Sequence, residues 1–285
     1  MYARFVGGGQ GVARYRAGSC RRGGFLAAQG SSRGGIFSRC APFPAAYDIV
    51  AEDFCRNFMV RSEYAPAPSQ TAVFDLDGTL LAGDSTAAWL RTLLLSSGRR
   101  FLAAAAVLPV CLLLIYFPFS RRIGASTLLW IATFGYDQQA LADSIESFAG
   151  NFEAGRVSLR WREDGLRAMQ RHTAAGDRVV VVTAAPALLA RRLLAPWSDI
   201  AVLGSTLGRW QGGWVEARQC RGREKCRALE ASGYGVVWKY AYTDSHDDIP
   251  LLAGAEHGFV VNARPAVISR LQAFGLSRVA RLRWI

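Results

Sequence analysis

Four short apolar runs beyond residue 70 constrain the fold more than any other feature of the sequence. They lie at 71–74, 178–183, 236–242 and 258–262. The second run contains four consecutive valines and no polar alternation, which is typical of a parallel strand buried on both faces. Helical segments separate the runs, at roughly 159–175, 185–195 and 223–232. Alternating strands and helices of this kind predict an α/β fold with a doubly wound parallel sheet.

Polar residues stand at the carboxyl ends of three of these runs. Asp75 and Asp77 come directly after the first run, within the sequence Asp-Leu-Asp-Gly-Thr. Thr183 ends the second run, and the third run leads into Asp244 and Asp248. Doubly wound sheets bind their ligands beyond the carboxyl ends of the strands. We therefore expect these side chains to meet in one site.

The four aspartates suit phosphoryl transfer, which needs a nucleophile, an acid/base, a metal ion and positive charge around the phosphate. Asp75 and Asp77 are two residues apart, so one carboxylate can attack phosphorus while the other protonates the leaving oxygen. Asp244 and Asp248 provide the oxygen ligands that a hard cation such as Mg²⁺ takes. The sequence therefore predicts a phosphoryl-transfer site that holds a metal ion.

Three further residues are candidates for contact with a phosphorylated substrate. Thr183 can donate a hydrogen bond to a phosphate oxygen, and Lys225, near the start of a helix, can neutralise phosphate charge. Asp84 follows Asp75 by nine residues, where either substrate positioning or the N-cap of a helix fits the sequence. Each of these features is common alone as a cap, a turn or a surface charge, but their order after successive strands predicts a site.

About a hundred residues separate the first two runs, far more than an ordinary crossover between parallel strands needs. We assign residues 69–90 and 166–285 to the catalytic core and residues 91–165 to an inserted helical cap. Residues 101–119 of the cap contain no charged side chain, and this length meets the threshold for a membrane segment. The alternative is a cap helix buried in the protein.

The strands on both sides of this apolar segment belong to one sheet, so a single complete span would separate Asp75 from Thr183. We therefore predict that the cap is partly embedded in a membrane as a re-entrant or interfacial helical hairpin, broken near Pro109. Two pairs of arginines flank the segment and can either contact anionic headgroups or remain solvated: Arg99, Arg100, Arg121 and Arg122.

The remaining composition says less about function. The formal net charge of +12 comes almost entirely from arginine and favours anionic partners, without choosing among nucleic acid, a lipid surface and a phosphorylated substrate. Residues 1–68 show no sustained helical or strand period over most of their length. We predict that they form a disordered extension or precede the true start of the protein.

The ordered motifs resemble those of the haloacid dehalogenase superfamily. Asp-Leu-Asp-Gly-Thr-Leu at 75–80 looks like its first motif, Thr183 its second, Lys225 its third and Asp-Ser-His-Asp-Asp at 244–248 its fourth. The insertion between the first two motifs is similar to that of the phosphoserine-phosphatase-like subgroup. Asp247 departs from the asparagine that is usual there in soluble phosphoserine phosphatases, which weakens an assignment to that substrate.

This resemblance implies a role for each predicted site residue. Asp75 would be the nucleophile and Asp77 the acid/base, while Thr183 and Lys225 would contact the phosphate. The implied ligands of Mg²⁺ are Asp75, the backbone carbonyl of Asp77, and Asp244, with Asp248 positioning the ion.

Several stretches also resemble the phosphatidylglycerophosphatase C family, including 128–135, 195–197, 212–214 and 220–225. This implies dephosphorylation of phosphatidylglycerol phosphate to phosphatidylglycerol at the cytoplasmic face of a bacterial inner membrane. The expected partners are a phospholipid phosphate and the membrane surface, with no nucleic acid and no obligate protein partner. A soluble phosphatase of a small phosphomonoester such as phosphoserine is the main alternative. A phosphomutase and a membrane-bound binding protein with a vestigial site are the others.

Overall fold

The computed structural model describes residues 70–117, 119–276 and 279–285. The predicted N-terminal extension, residues 1–68, lies outside the described residues. Within them the chain forms one seven-stranded sheet in the order β4-β3-β2-β1-β5-β6-β7. The strands are β1 (Thr71–Phe74), β2 (Arg178–Pro186), β3 (Ala201–Trp210), β4 (Gly213–Arg218), β5 (Trp238–Thr243), β6 (Ala255–Val261) and β7 (Ala280–Leu282).

Every neighbouring pair in this sheet is parallel except the β3–β4 hairpin. The chain runs outward from β1 through β2 and β3, and then starts again on the other side of β1 with β5. The strand order therefore reverses at β1, and ligands of doubly wound sheets bind at such a switch point. This confirms the predicted doubly wound, mostly parallel α/β sheet.

Nine α-helices lie within the described residues. They are α1 (Ser85–Leu95), α2 (Gly98–Tyr116), α3 (Arg121–Thr133), α4 (Gln138–Glu153), α5 (Glu163–Ala174), α6 (Ala187–Leu193), α7 (Arg223–Ala231), α8 (Ile249–Ala253) and α9 (Pro265–Ala273). A single 3₁₀ turn, His246–Asp248, precedes α8.

Helices cover both faces of the sheet because successive strand residues point to opposite sides. Phe74 packs in the core on the face that includes α1, α4, α5 and α6, whereas Val73 packs with residues of α7, α8 and α9 on the other face. Both side chains are fully buried. Burial on both faces explains why the strand sequences are continuous apolar runs rather than alternating ones.

The first predicted strand matches β1, and the other three differ at their ends. β2 continues past Thr183 to Pro186, β5 begins two residues later than the predicted run, and β6 begins three residues earlier. The three predicted helices correspond to α5, α6 and α7. β3, β4 and β7 were not predicted, since these strands at the sheet margins lack a continuous buried run.

The apolar part of the insertion forms a hairpin of α2 and α3, but the predicted break near Pro109 is wrong. α2 is a continuous helix of nineteen residues that contains Pro109 in its interior. The chain reverses direction between Tyr116 and Arg121. Proline removes one intrahelical hydrogen bond, and the other bonds of α2 keep it continuous. The two helices approach closely at Gly124, where an added Cβ would lie 2.6 Å from the Cys111 carbonyl oxygen.

The α2–α3 hairpin is held to the β3–β4 hairpin by specific bonds. The guanidinium of Arg122 donates to the carbonyl oxygens of Glu216 and Ala217 at 2.7 and 2.6 Å. The Trp130 indole donates to the carbonyl of Trp210 at 3.0 Å and lies against the backbone of Gly213. Trp130 therefore packs between the cap and the edge of the sheet.

Candidate active site

A buried lysine joins two aspartates at the carboxyl edge of the sheet. Lys225, in the first turn of α7, places Nζ 2.8 Å from Oδ1 of Asp75 and 2.7 Å from Oδ2 of Asp248. Asp75 directly follows β1, and Asp248 ends the turn that follows β5. All three are almost fully buried, with 6% of Asp75, 2% of Lys225 and 1% of Asp248 exposed. The structure thus brings three of the predicted site residues into direct contact.

The charges within this cluster explain why Lys225 stays protonated. Burial raises the pKa of the Asp75 carboxyl, and the Lys225 ammonium acts in the opposite direction. Burial would lower the pKa of Lys225, but the charges of Asp248 and Asp75 raise it above its ordinary value. Lysine therefore stays charged in a place where an unpaired ammonium would be strongly disfavoured.

Asp77 lies on the same loop as Asp75 in a different environment. Its Oδ1 accepts a 2.8 Å hydrogen bond from the backbone N–H of Ser85, at the start of α1. Burial, followed by the negative charge of Asp84, raises the pKa of Asp77 to about 7. A carboxyl with a pKa near neutrality can both give and take a proton, as a general acid/base must.

The Asp244 side chain packs against Gly78, on the loop that follows β1. A Cβ added to Gly78 would lie 2.2 Å from Oδ2 of Asp244, so only glycine leaves room for this carboxylate. Gly78 also has a φ of +79°, which other residues rarely adopt. Thr79 donates to Oδ1 of Asp244 at 3.4 Å. Burial raises the pKa of Asp244. The loops after β1 and β5 are thereby packed against each other, as the sequence predicted.

The donor set at this edge fits Mg²⁺. Among the described residues, no three His, Cys, Asp or Glu side chains lie close enough together to hold an ion by themselves. Magnesium does not need such a cage, because it is commonly bound by one or two carboxylates, with water and substrate phosphate completing the octahedron. Asp75 and Asp244 provide carboxylate oxygens on adjoining loops. The close approach of Asp244 to Gly78 places the Asp244 carboxylate against the loop that carries Asp75.

The two remaining predicted residues have local partners. Thr183 is fully buried in β2, and its hydroxyl accepts a 3.1 Å bond from the Ala185 backbone N–H. Asp84 caps α1, with Oδ1 accepting from the Ala87 backbone N–H at 2.8 Å. The N-cap alternative for Asp84 is therefore confirmed, while contact of either residue with substrate stays a prediction.

Sequence reasoning missed three contacts at or beside the site: that of Thr243 with Asp248, and those of Arg121 and Arg221 with Asp247. Thr243 donates to Oδ2 of Asp248 at 2.7 Å, so it shares that carboxylate with Lys225. Its place immediately before Asp244, at the end of a predicted strand, was an available signal. Arg121 and Arg221 both bind Asp247, and no local pattern indicates a contact between cap and core across 126 positions.

The doubly wound sheet and the acidic cluster at its switch point define a class of α/β hydrolases. The chain belongs to the haloacid dehalogenase-like hydrolase family, which matches residues 72–253. It is 30% identical over 201 residues to Protein CicA of Caulobacter vibrioides, covering 68% of this chain and 87% of that protein.

Two of the solved structures that share the fold show how low the sequence identity is. A protein of unknown function from Bordetella pertussis Tohama I has a TM-score of 0.57 and 20% identity, over 75% of this chain and 98% of that one. The HAD family hydrolase t0658 from Salmonella enterica subsp. enterica serovar Typhi has a TM-score of 0.53 and 13% identity, over 85% and 79% of the two chains.

Proposed function

We propose that this hydrolase is a magnesium-dependent phosphatase that forms an aspartyl-phosphate on Asp75. The observation that carries the proposal is the pairing of Asp75 with Lys225, which in turn is paired with Asp248. A nucleophilic carboxylate needs nearby positive charge to accept a phosphoryl group, and a buried lysine held by two carboxylates provides it in fixed geometry. Mg²⁺ held by Asp75, the Asp77 carbonyl and Asp244 would neutralise further phosphate charge.

The chemical roles follow from the two environments of the first loop. An oxygen of Asp75 attacks phosphorus as the bond to the leaving alcohol breaks, and the proton of Asp77 goes to that alcohol oxygen. Asp77 then takes a proton from water, whose oxygen attacks phosphorus and releases phosphate from Asp75. The pKa of Asp77, about 7, suits both transfers.

For the substrate we propose phosphatidylglycerol phosphate, at the cytoplasmic face of a bacterial inner membrane. Support comes from α2, the one helix within the described residues that is long and apolar enough to cross a membrane. Only Ala104 and Cys111 of α2 are buried, whereas Leu102, Leu112 and Leu113 are more than half exposed. The α2–α3 hairpin leaves and returns to one sheet, so it can enter a membrane without dividing the site.

Phosphate release tests this proposal directly. Purified protein with Mg²⁺ is assayed on phosphatidylglycerol phosphate in mixed micelles and on phosphoserine, each with and without a chelator. We expect release from the lipid, loss of release with the chelator, and a lower kcat/KM for phosphoserine. A preference for phosphoserine would support the soluble phosphatase instead. No release from either compound would contradict the phosphatase proposal and favour a binding protein.

A further inference from the structure

Two arginines from separate parts of the chain converge on one carboxylate beside the proposed active site. NH1 of Arg121 and NH1 of Arg221 each lie 2.9 Å from Oδ2 of Asp247. Arg121 begins α3 of the cap, and Arg221 belongs to the loop before α7. Neither residue has a role in the proposed chemistry at Asp75.

This cluster carries more positive than negative charge. Glu216 interacts with both Arg221 and Arg122, so three arginines face two carboxyl groups. His246 is a further titratable neighbour, with Nε2 at 3.3 Å from Oδ1 of Asp247. Nε of Arg221 is buried without a hydrogen-bond partner among the described residues, although 38% of the side chain is exposed. The cluster therefore contains one unpaired buried donor, while other atoms of the Arg221 side chain are open to solvent.

The cluster adjoins the proposed active site along the chain. Asp247 precedes Asp248, and consecutive Cα atoms are about 3.8 Å apart, so the two carboxyl groups are separated by at most roughly 9 Å. Asp248 in turn shares Lys225 with Asp75. The loop that carries Arg221 also packs against the backbone of Asp247. A Cβ added to Gly222 would lie only 3.1 Å from the Asp247 carbonyl oxygen.

We propose that Arg121 and Arg221 bind a second acidic group of the substrate, a phosphodiester, while Asp75 attacks its terminal phosphomonoester. This rests on the proposed function and adds the residues that select the substrate. Guanidinium groups match phosphate oxygens with paired, charge-assisted hydrogen bonds. Asp247 accepts only one NH1 bond from each arginine, which leaves further N–H donors on both.

The cap side of the cluster connects it to the apolar surface. Nε of Arg121 donates to the carbonyl of Ile115 at 3.1 Å, so this guanidinium is fixed at the end of α2. Phe117 and Phe119, between α2 and α3, are exposed beside it in the sequence. A diacyl lipid with its tails at this surface would thus meet the arginine pair before its terminal phosphate reaches Asp75.

The test compares two lipids that differ in the second acidic group. Phosphatidylglycerol phosphate has a terminal phosphomonoester and an internal phosphodiester, whereas phosphatidic acid has only the phosphomonoester. Both lipids are assayed in the same mixed micelles, and the measured quantity is kcat/KM for phosphatidylglycerol phosphate divided by kcat/KM for phosphatidic acid. We expect Arg221→Gln to lower this ratio by roughly tenfold or more. Arg218→Gln removes an exposed arginine on β4 and should leave the ratio unchanged.

Asp247→Asn distinguishes a binding role from a structural tether. Removing this carboxylate leaves both guanidiniums without their counter-charge, so KM for phosphatidylglycerol phosphate should fall relative to that for phosphatidic acid. A mere tether between cap and core predicts equal changes for both lipids. If Arg221→Gln and Asp247→Asn each change the kinetics equally for both lipids, this inference is overturned and the proposed function is not affected. A wild-type protein inactive on both lipids would contradict the proposed function, and this inference with it.

Discussion

The buried cluster of Asp75, Lys225 and Asp248 and the α2–α3 hairpin depart from ordinary protein cores and surfaces in opposite ways. At the carboxyl edge of the sheet, the ionisable side chains of Asp75, Lys225 and Asp248 are almost completely buried. In the hairpin, α2 exposes leucine, valine and phenylalanine over most of its length. Both regions lie within the residues that follow β1, and neither arrangement is favoured by folding alone.

Each departure has a cost that points to function. Buried charges lose hydration, and replacing such clusters with apolar residues is often neutral or stabilising. A large exposed apolar patch is unusual in a soluble monomer and marks a site of association. A phosphatase of a membrane lipid needs both, since the chemistry requires dry, paired charges and the substrate resides in an apolar phase.

Removing the nucleophile should have the largest effect on activity. Asp75→Asn is expected to reduce phosphate release by roughly 10⁴-fold or more. Folding should be unimpaired, because Lys225 keeps its 2.7 Å pair with Asp248. The exposed Asp143→Asn is the matched control and should keep wild-type turnover. Residual activity near the wild-type rate in Asp75→Asn would place the nucleophile elsewhere.

Removing the lysine should break the cluster structurally. Lys225→Met leaves Asp75 and Asp248 buried without their shared cation, and we expect a loss of about 3–5 kcal/mol in the free energy of unfolding. Urea unfolding in the presence of a chelator measures it, so that no bound metal ion replaces the lost charge.

A double variant shows whether the cause is charge. Lys225→Met combined with Asp75→Asn removes one of the two facing carboxylates and should recover part of the lost stability. An unchanged midpoint in Lys225→Met, or a double variant less stable than the single one, would contradict the charge pairing described here.

Charging the hairpin should separate membrane association from chemistry. Leu112→Lys with Leu113→Lys places two charges on the exposed face of α2 and should lower binding to zwitterionic vesicles, which do not attract lysine, by roughly tenfold. Turnover of a soluble phosphomonoester should not change. Leu188→Lys alters an equally exposed leucine on α6 of the core and should bind vesicles like the wild type. Equal binding by all three proteins would show that α2 does not contact the membrane.

The smallest expected effect concerns the proton on Asp77. The negative charge of Asp84 raises the pKa of Asp77, so Asp84→Asn should lower that pKa. Formation of the aspartyl-phosphate requires protonated Asp77 and falls as pH rises through its pKa. In Asp84→Asn this decline should begin at lower pH. The displacement should be roughly half a pH unit or less, because the charge of Asp84 is exposed and screened by salt. Asparagine still caps α1.

Rapid-quench measurement of the first turnover against pH reports this shift. The shift should shrink at high salt, since screening weakens the charge of Asp84 in the wild type. A decline displaced toward higher pH would contradict the assigned direction.

The sequence predicted the centre of the fold and the local part of the site. β1 and the loop after it follow from an apolar run and a glycine, because only Gly78 fits both the backbone turn and the Asp244 carboxylate. Lys225, Asp244 and Asp248 were predicted as site residues because strand ends and helix starts converge at one edge of a parallel sheet.

Features that depend on long-range docking were not predictable in this way. The contact of Arg121 with Asp247 depends on how the cap sits on the core. Continuity of α2 through Pro109 goes against a strong local preference, which the remaining bonds of the helix override. β3 and β4 contain glycines and polar residues, so they lack the apolar runs that identified the inner strands.

Trapping the covalent intermediate tests the central claim most directly. The enzyme is mixed with Mg²⁺ and substrate, quenched in acid within the first turnover, and its peptides are analysed for an added phosphoryl group. We predict a phosphorylated peptide modified at Asp75, formed only with metal present and absent from Asp75→Asn. A phosphoryl group on any other residue, or full turnover with none on the protein, would contradict the account.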